Sequence, residues 1–216
     1  MSKRLAAVAV AAAISALSIA AAQGQAAFRT FTDAQGRFTL QHPGDWPVDP
    51  LPGSNEANLG VVIGIADAEC KVIALKSEQS VGKPVEAVRR AYSTSIGDAA
   101  WKTKADGYNV WGRRGTVNLV SVDTSGFWPV QAADFTTDDG KPGYARMHAR
   151  PGVEVWMFCS SFDNRDRKAT FDRIFTSFAG TNDAALQAEA ATAAANAAAA
   201  APAAPPPAEE QKKKRR

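Results

Sequence analysis

Apolar positions recur with two different spacings along the middle of the chain. Phe38 and Leu40 alternate with polar neighbours before Pro43-Gly-Asp-Trp46, and Phe28 and Phe31 precede the polar turn Asp33-Ala-Gln-Gly36. This predicts a hairpin over 28–46, with Gly36 at positive φ. Leu59–Ile65 and Cys70–Leu75 read as two further strands about Asp67-Ala-Glu69. After Pro84 the spacing changes: Val85, Val88 and Tyr92 share one helical face, while Glu86 and Arg90 make an i,i+4 pair on another. One helix of about three turns, ending near Gly97, is predicted, with Trp101 anchoring a short second segment.

Strand spacing then returns. Tyr108–Trp111, Gly115–Val122, Trp128–Phe135, Tyr144–Ala149 and Val153–Ser160 are separated by short polar gaps, which predicts an antiparallel meander. The last run is apolar at both parities, Val155 and Met157 against Trp156 and Phe158, so both faces of its sheet need a cover. A closing helix supplies one. Phe171, Ile174, Phe175 and Phe178 repeat at i, i+3, i+4, i+7, with Asp163 or Asn164 as the cap and Gly180 as the stop. The expected architecture is α+β, an antiparallel β-sheet covered by helices on both faces.

Composition confines this domain to the middle of the 216 residues. Alanine crowds both ends, whereas every aromatic residue lies between Phe28 and Phe178. The net charge of +3 is also terminal: residues 28–183 carry 18 basic and 19 acidic side chains. A near-neutral domain gives no footprint for nucleic acid, and none is expected as a partner.

Lys3 and Arg4 precede an apolar run from Leu5 to Ala22 that ends in Ala20-x-Ala22, the pattern of a signal peptide cleaved after Ala22, with Ala26 or Ala27 as alternative sites. The other reading is a retained membrane anchor. Cleavage implies a periplasmic or secreted protein with no transmembrane span in its mature form. In such a compartment Cys70 and Cys159, each in a strand-like run, can pair if their strands are neighbours; otherwise they are buried free thiols. Residues 184–216 read as a disordered Ala/Pro-rich tail with helical tendency, since Leu186 is the only large apolar residue before Pro202. Lys212, Lys213, Lys214, Arg215 and Arg216 form a basic end that attracts anionic envelope surfaces or simply stays solvated.

Phe38-Thr-Leu-Gln-His-Pro-Gly-Asp-Trp46 and Phe171-Asp-Arg-Ile-Phe-Thr-Ser-Phe178 resemble the PsbP-like domains. Their α/β/α sandwich is shared with the extrinsic photosystem subunit of that name and with a Ran-binding nuclear-import factor. The resemblance covers roughly residues 28–180 and implies a non-catalytic assembly, binding or chaperone-like module. It transfers no site residues.

Direct signs of chemistry are few. His42 and His148 are the only histidines, and no nucleophile-elbow, zinc-protease or phosphate-loop spacing is present. Asp138-Asp139-Gly140, near Asp134, reads as a hairpin turn rather than an acid pair. No catalytic residue, metal ligand or cofactor is assigned. Trp111, Arg113, Arg114 and Trp128, at strand ends, are the expected binding surface. The function expected is an exported binding, assembly or chaperone-like module acting on a protein or cell-envelope component. The alternatives are a cell-envelope hydrolase with an unrecognised site and a secreted stress or host-interaction factor.

Overall fold

The structure, a computed structural model, describes residues 27–54, 58–107 and 115–200. The opening hairpin is present: β1 (Phe28–Thr32) pairs antiparallel with β2 (Phe38–Pro43), Phe31 opposite Leu40. Its turn is held by Asp33, whose carboxylate accepts from the Arg37 backbone N–H at 3.1 Å and from Arg37 Nε at 2.7 Å. Gly36 lies at φ 64°, which a side chain would strain. There follow β3 (Val48–Pro50), β4 (Asn58–Ile65), β5 (Ala68–Lys76), α1 (Val85–Tyr92) and α2 (Asp98–Gly107). The meander is β6 (Gly115–Asp123), β7 (Val130–Thr137), β8 (Pro142–Arg150) and β9 (Val153–Ser161). The described chain closes with α3 (Lys168–Thr176), β10 (Ala179–Gly180) and α4 (Asp183–Ala200).

Seven strands form one antiparallel sheet in the order β3-β4-β5-β9-β8-β7-β6, and β1-β2-β10 form a smaller one. The join between the two halves of the large sheet is β5 on β9, paired from Ala68↔Ser161 to Lys76↔Val153. The doubly apolar β9 does what its pattern predicts. Trp156 and Phe158 pack with Tyr92, Trp101 and Ala105 under α1 and α2, while Val155, Met157 and Cys159 pack with Phe38, Leu40, Phe171 and Ile174 under the small sheet and α3. Helices therefore cover both faces of the sheet.

Several boundaries differ from the spacing-based expectation. The helix after Pro84 ends at Tyr92, not near Gly97, because Ser93 turns its hydroxyl back to Arg90 O at 2.8 Å and Gly97 takes φ 80°. Glu86 pairs with Arg89, one turn position earlier than Arg90, at 2.7 Å. Trp101 does anchor the second segment, α2, and is fully buried. Neither Asp163 nor Asn164 caps α3, which begins at Lys168. Asp163 instead binds the Arg167 guanidinium, Nη2 to Oδ2 at 3.0 Å, and Asn164 accepts from Lys141. Nor does Gly180 stop that helix. It ends at Thr176, Ser177 Oγ takes the Gln41 N–H at 2.7 Å, and Ala179–Gly180 joins β2 as a strand. The expected strand at 108–111 lies outside the described residues.

The alanine-rich stretch also departs from expectation. Residues 183–200 form an 18-residue helix, and its first half docks: Leu186 packs on the core, and Ala190, one turn later, is 4% exposed. Small Ala side chains let α4 lie close against α1. Residues 191–200 are exposed on every face. Among the described residues no helix is long and apolar enough to cross a membrane.

Candidate functional site

Cys70 and Cys159 stand directly opposite each other on β5 and β9, their Cα atoms 4.0 Å apart, and form a disulfide that closes an 89-residue separation. Both are fully buried, so the bond staples the central strand pair and presents no sulfur to solvent. Their exposure and setting do not suit thiol chemistry.

Of the expected binding surface, Trp128 alone lies among the described residues. Trp111, Arg113 and Arg114 lie outside the described residues, as do Lys212, Lys213, Lys214, Arg215 and Arg216 and residues 1–26, which hold the expected signal peptide. Trp128 corrects the expectation outright: it is 6% exposed, with the Arg150 guanidinium 4.4 Å above its ring and Phe127 edge-on at 5.1 Å. Its neighbour Pro129 lacks the N–H a strand would use, and β7 begins after it at Val130.

The histidines are withdrawn into structure. His148 stacks on Phe178 at 4.0 Å, and burial together with Arg150 and Arg146 pushes its pKa down to about 3. It is a neutral ring at physiological pH. His42 has Nδ1 2.8 Å from Pro43 O, and because that carbonyl only accepts, Nδ1 carries the proton. His42 borders an open groove beside β1 with Arg29, Asp45 and Trp46. Asp138-Asp139-Gly140 is the hairpin turn its sequence predicts, with Gly140 at φ 76° and Gly140 N–H donating to Thr137 O at 2.8 Å.

A further polar arrangement lies in an open groove of about 550 Å³ between the ends of β5 and β9 and the α1–α2 pair. Glu154 sits in it with three donors on one carboxylate. Tyr92 Oη and Ser77 Oγ donate to Oε1 at 2.6 and 3.0 Å, and Trp156 Nε1 donates to Oε2 at 3.1 Å. Burial, then the bond to Glu154, pushes the Tyr92 phenol pKa up, so its proton stays in place. Lys104 Nζ lies 5.2 Å above the Trp156 ring. Leu75, Met147 and Trp156 form the floor, Ile96 and Ala100 one wall, and Lys76 with Glu78 the opposite rim.

Gln131, fully buried on β7, fixes that wall. Its Nε2 donates to Tyr92 O at 2.6 Å and Thr94 O at 2.9 Å, and its Oε1 accepts from Ile96 N–H at 3.2 Å. The α1–α2 loop is thus pinned to the sheet. One residue of this set carries a signal in the sequence. Glu154 is the lone charge in an apolar run and shares its strand parity with Trp156 and Phe158, so it had to face the helix layer. By spacing alone Tyr92 and Trp156 read as core positions.

The arrangement can bind, and it is poorly suited to acid–base work. The Glu154 oxygens are occupied by neutral donors, and the Tyr92 proton is held. Among the described residues no group of three or more His, Cys, Asp or Glu could hold a metal ion.

No protein-family model matches the chain, and no curated protein matches it by sequence. Comparison with solved structures is informative. The solution structure of cyanobacterial PsbP (CyanoP) from Synechocystis sp. PCC 6803 superposes with a TM-score of 0.51 at 15% identity, covering 76% of this chain and 98% of that one. The chain has a PsbP-like fold. A crystal structure from Bacteroides thetaiotaomicron VPI-5482 aligns less well, with a TM-score of 0.40 at 11% identity over 70% of this chain and 48% of the other. On the PsbP-like frame the groove lies on the α1–α2 side of the sheet, across from the layer formed by the opening hairpin and α3.

Proposed function

We propose that this PsbP-like protein is an exported, non-catalytic binding or assembly module that holds a protein partner of the cell envelope in the α1–α2 groove. The observation that carries the reading is the groove itself: an open cleft of about 550 Å³ lined by Trp156, with the Lys104 ammonium 5.2 Å above that ring, while its carboxylate accepts from three donors. The fold supports a binding role, and the buried disulfide together with the residue 1–22 pattern supports a soluble periplasmic or secreted location. The basic end at Lys212–Arg216 adds a weak, salt-sensitive attraction to anionic envelope surfaces.

Crosslinking in intact cells with a lysine-reactive reagent, followed by mass spectrometry, tests the reading. Full-length protein and a form ending at Ala200 should both give reproducible crosslinks from Lys76 or Lys104 to one partner. Crosslinks confined to other lysines, or no reproducible partner, would overturn the assignment. The truncation keeps α4 because Leu186 and Ala190 belong to the packed body.

A further inference from the structure

We infer that β6, the last strand of the seven-stranded sheet, pairs antiparallel with β6 of a second copy of this chain, about a two-fold axis between Asn118 and Leu119. This goes beyond the groove reading and does not depend on it.

The backbone of β6 carries the argument. Among the described residues it pairs with β7 alone. On the far side of β7, Thr137 N–H donates to Lys141 O at 2.9 Å, and ladder bonds alternate sides along a strand. Thr136, Asp134, Ala132 and Val130 are therefore the β7 residues that bond toward β6. Their opposites are Thr116, Leu119, Ser121 and Asp123, which leaves Gly115, Val117, Val120 and Val122 with N–H and C=O turned to the open edge. The register shift between Val117 and Leu119 makes this set symmetric, two residues on each side of Asn118-Leu119. An antiparallel copy about that centre sets Val117 against Val120 and Gly115 against Val122, for about eight hydrogen bonds in all. No register centred on a single residue matches all four.

The side chains agree with this register. Val117 and Val120 are half-buried, packed against the core under α1 and α2, and the pairing sets each against the other's copy on that same face. Leu119 is 59% exposed, the most of any large apolar side chain among the described residues. It falls beside the axis, where the two copies of it cover each other.

Charge selects a second copy over a charged partner. From Gly115 to Val122 the strand has no ionisable side chain and no proline, residues that commonly keep an edge from pairing. Asp123 lies beyond the paired span, so no like charges come face to face. A bulge ordinarily turns an edge aside. Placed at the axis, it bends both strands alike and the ladder still closes. One strand pair buries less than the roughly 1,600 Å² of a standard interface, so the dimer is a transient one.

Sedimentation equilibrium and amide exchange on the protein as cells process it test this. The weight-average mass should rise from monomer toward dimer as the protein is concentrated from about 10 to 500 µM. Amide exchange at Val117, Val120 and Val122 should slow over the same range. Leu119→Lys and Leu119→Glu should each weaken association about tenfold or more, because like charges meet at the axis, and both should keep the parent's urea midpoint. Mixed in equal parts, the two variants should associate again. A monomer at every concentration, association that ignores both variants, or a mixture that stays monomeric beside an associating parent would overturn the proposal. Slowed exchange in β6 at monomer mass would give the edge to another segment or partner and overturn it as well.

Discussion

Arg150, the last residue of β8, grips Asp183 at the start of α4 with two hydrogen bonds, Nε to Oδ1 at 2.5 Å and Nη2 to Oδ2 at 2.9 Å. The same guanidinium lies 4.4 Å over Trp128 and 5.4 Å from the Phe178 ring, and Asp183 Oδ2 also accepts the Gly180 N–H at 3.1 Å. One arginine thus ties the sheet, the segment after α3 and the first turn of α4 together.

Removing Asp183 leaves a mostly buried guanidinium without its counter-charge. Asp183→Ala should cost on the order of 2–3 kcal/mol in urea unfolding, below the usual range for a broken buried pair because Asp183 remains partly wet. Amide exchange over 183–190 should accelerate with it. Gly180→Ala should act on the same contact, since its Cβ would come 2.6 Å from Asp183 Oδ1.

His148 makes stability fall in acid. Its pKa is depressed to about 3 from 6.5, so the unfolded chain takes up a proton before the folded one does. Its contribution is complete above about pH 6.5 and is lost as pH falls toward 3. Asp163, held at about 2 by Arg167, adds a loss in the same direction below the usual carboxylate range. Denaturation midpoints against pH should show a steep acid limb, and His148→Phe, which keeps the stack on Phe178, should flatten it between pH 6.5 and 3.

The disulfide should resist alkylation in the folded protein and yield two modified thiols only after denaturation and reduction, read by intact mass. Replacing Cys70 and Cys159 together by Ala should lower stability by about 4–5 kcal/mol at most on the loop-entropy account. Two modified thiols without reduction would refute the pairing.

Export and the basic end make separate predictions. N-terminal sequencing of the mature protein should begin after Ala22, or after Ala26 or Ala27. Deleting 212–216 should weaken envelope association at low salt and change nothing at high salt. Unchanged fractionation at low salt would remove the proposed role of the basic end.

Much of the fold was legible from strand parity. Val155 and Met157 against Trp156 and Phe158 required two covers, and the structure supplies them. Boundaries were less legible wherever a side chain from a distant element decided them. The chain leaves the helical path after Ser177, whose Oγ accepts the Gln41 strand N–H, and the alanine stretch docks because α1 lies within reach of Ala190. The groove was hidden for the same reason: Glu154 has meaning only beside Tyr92, 62 residues away, and Ser77, 77 residues away.

The sequence by itself determined the α+β class, the antiparallel meander, the need for cover on both faces and the turns at Gly36 and Gly140, because each rests on periodicity or local backbone sterics. Only the tertiary structure decided that Cys70 meets Cys159, that Trp128 is enclosed by Arg150, and that Lys104, Trp156 and Glu154 share one groove. Those facts depend on strand order and helix placement, which bring together residues whose separation along the chain carries no record of their distance in space.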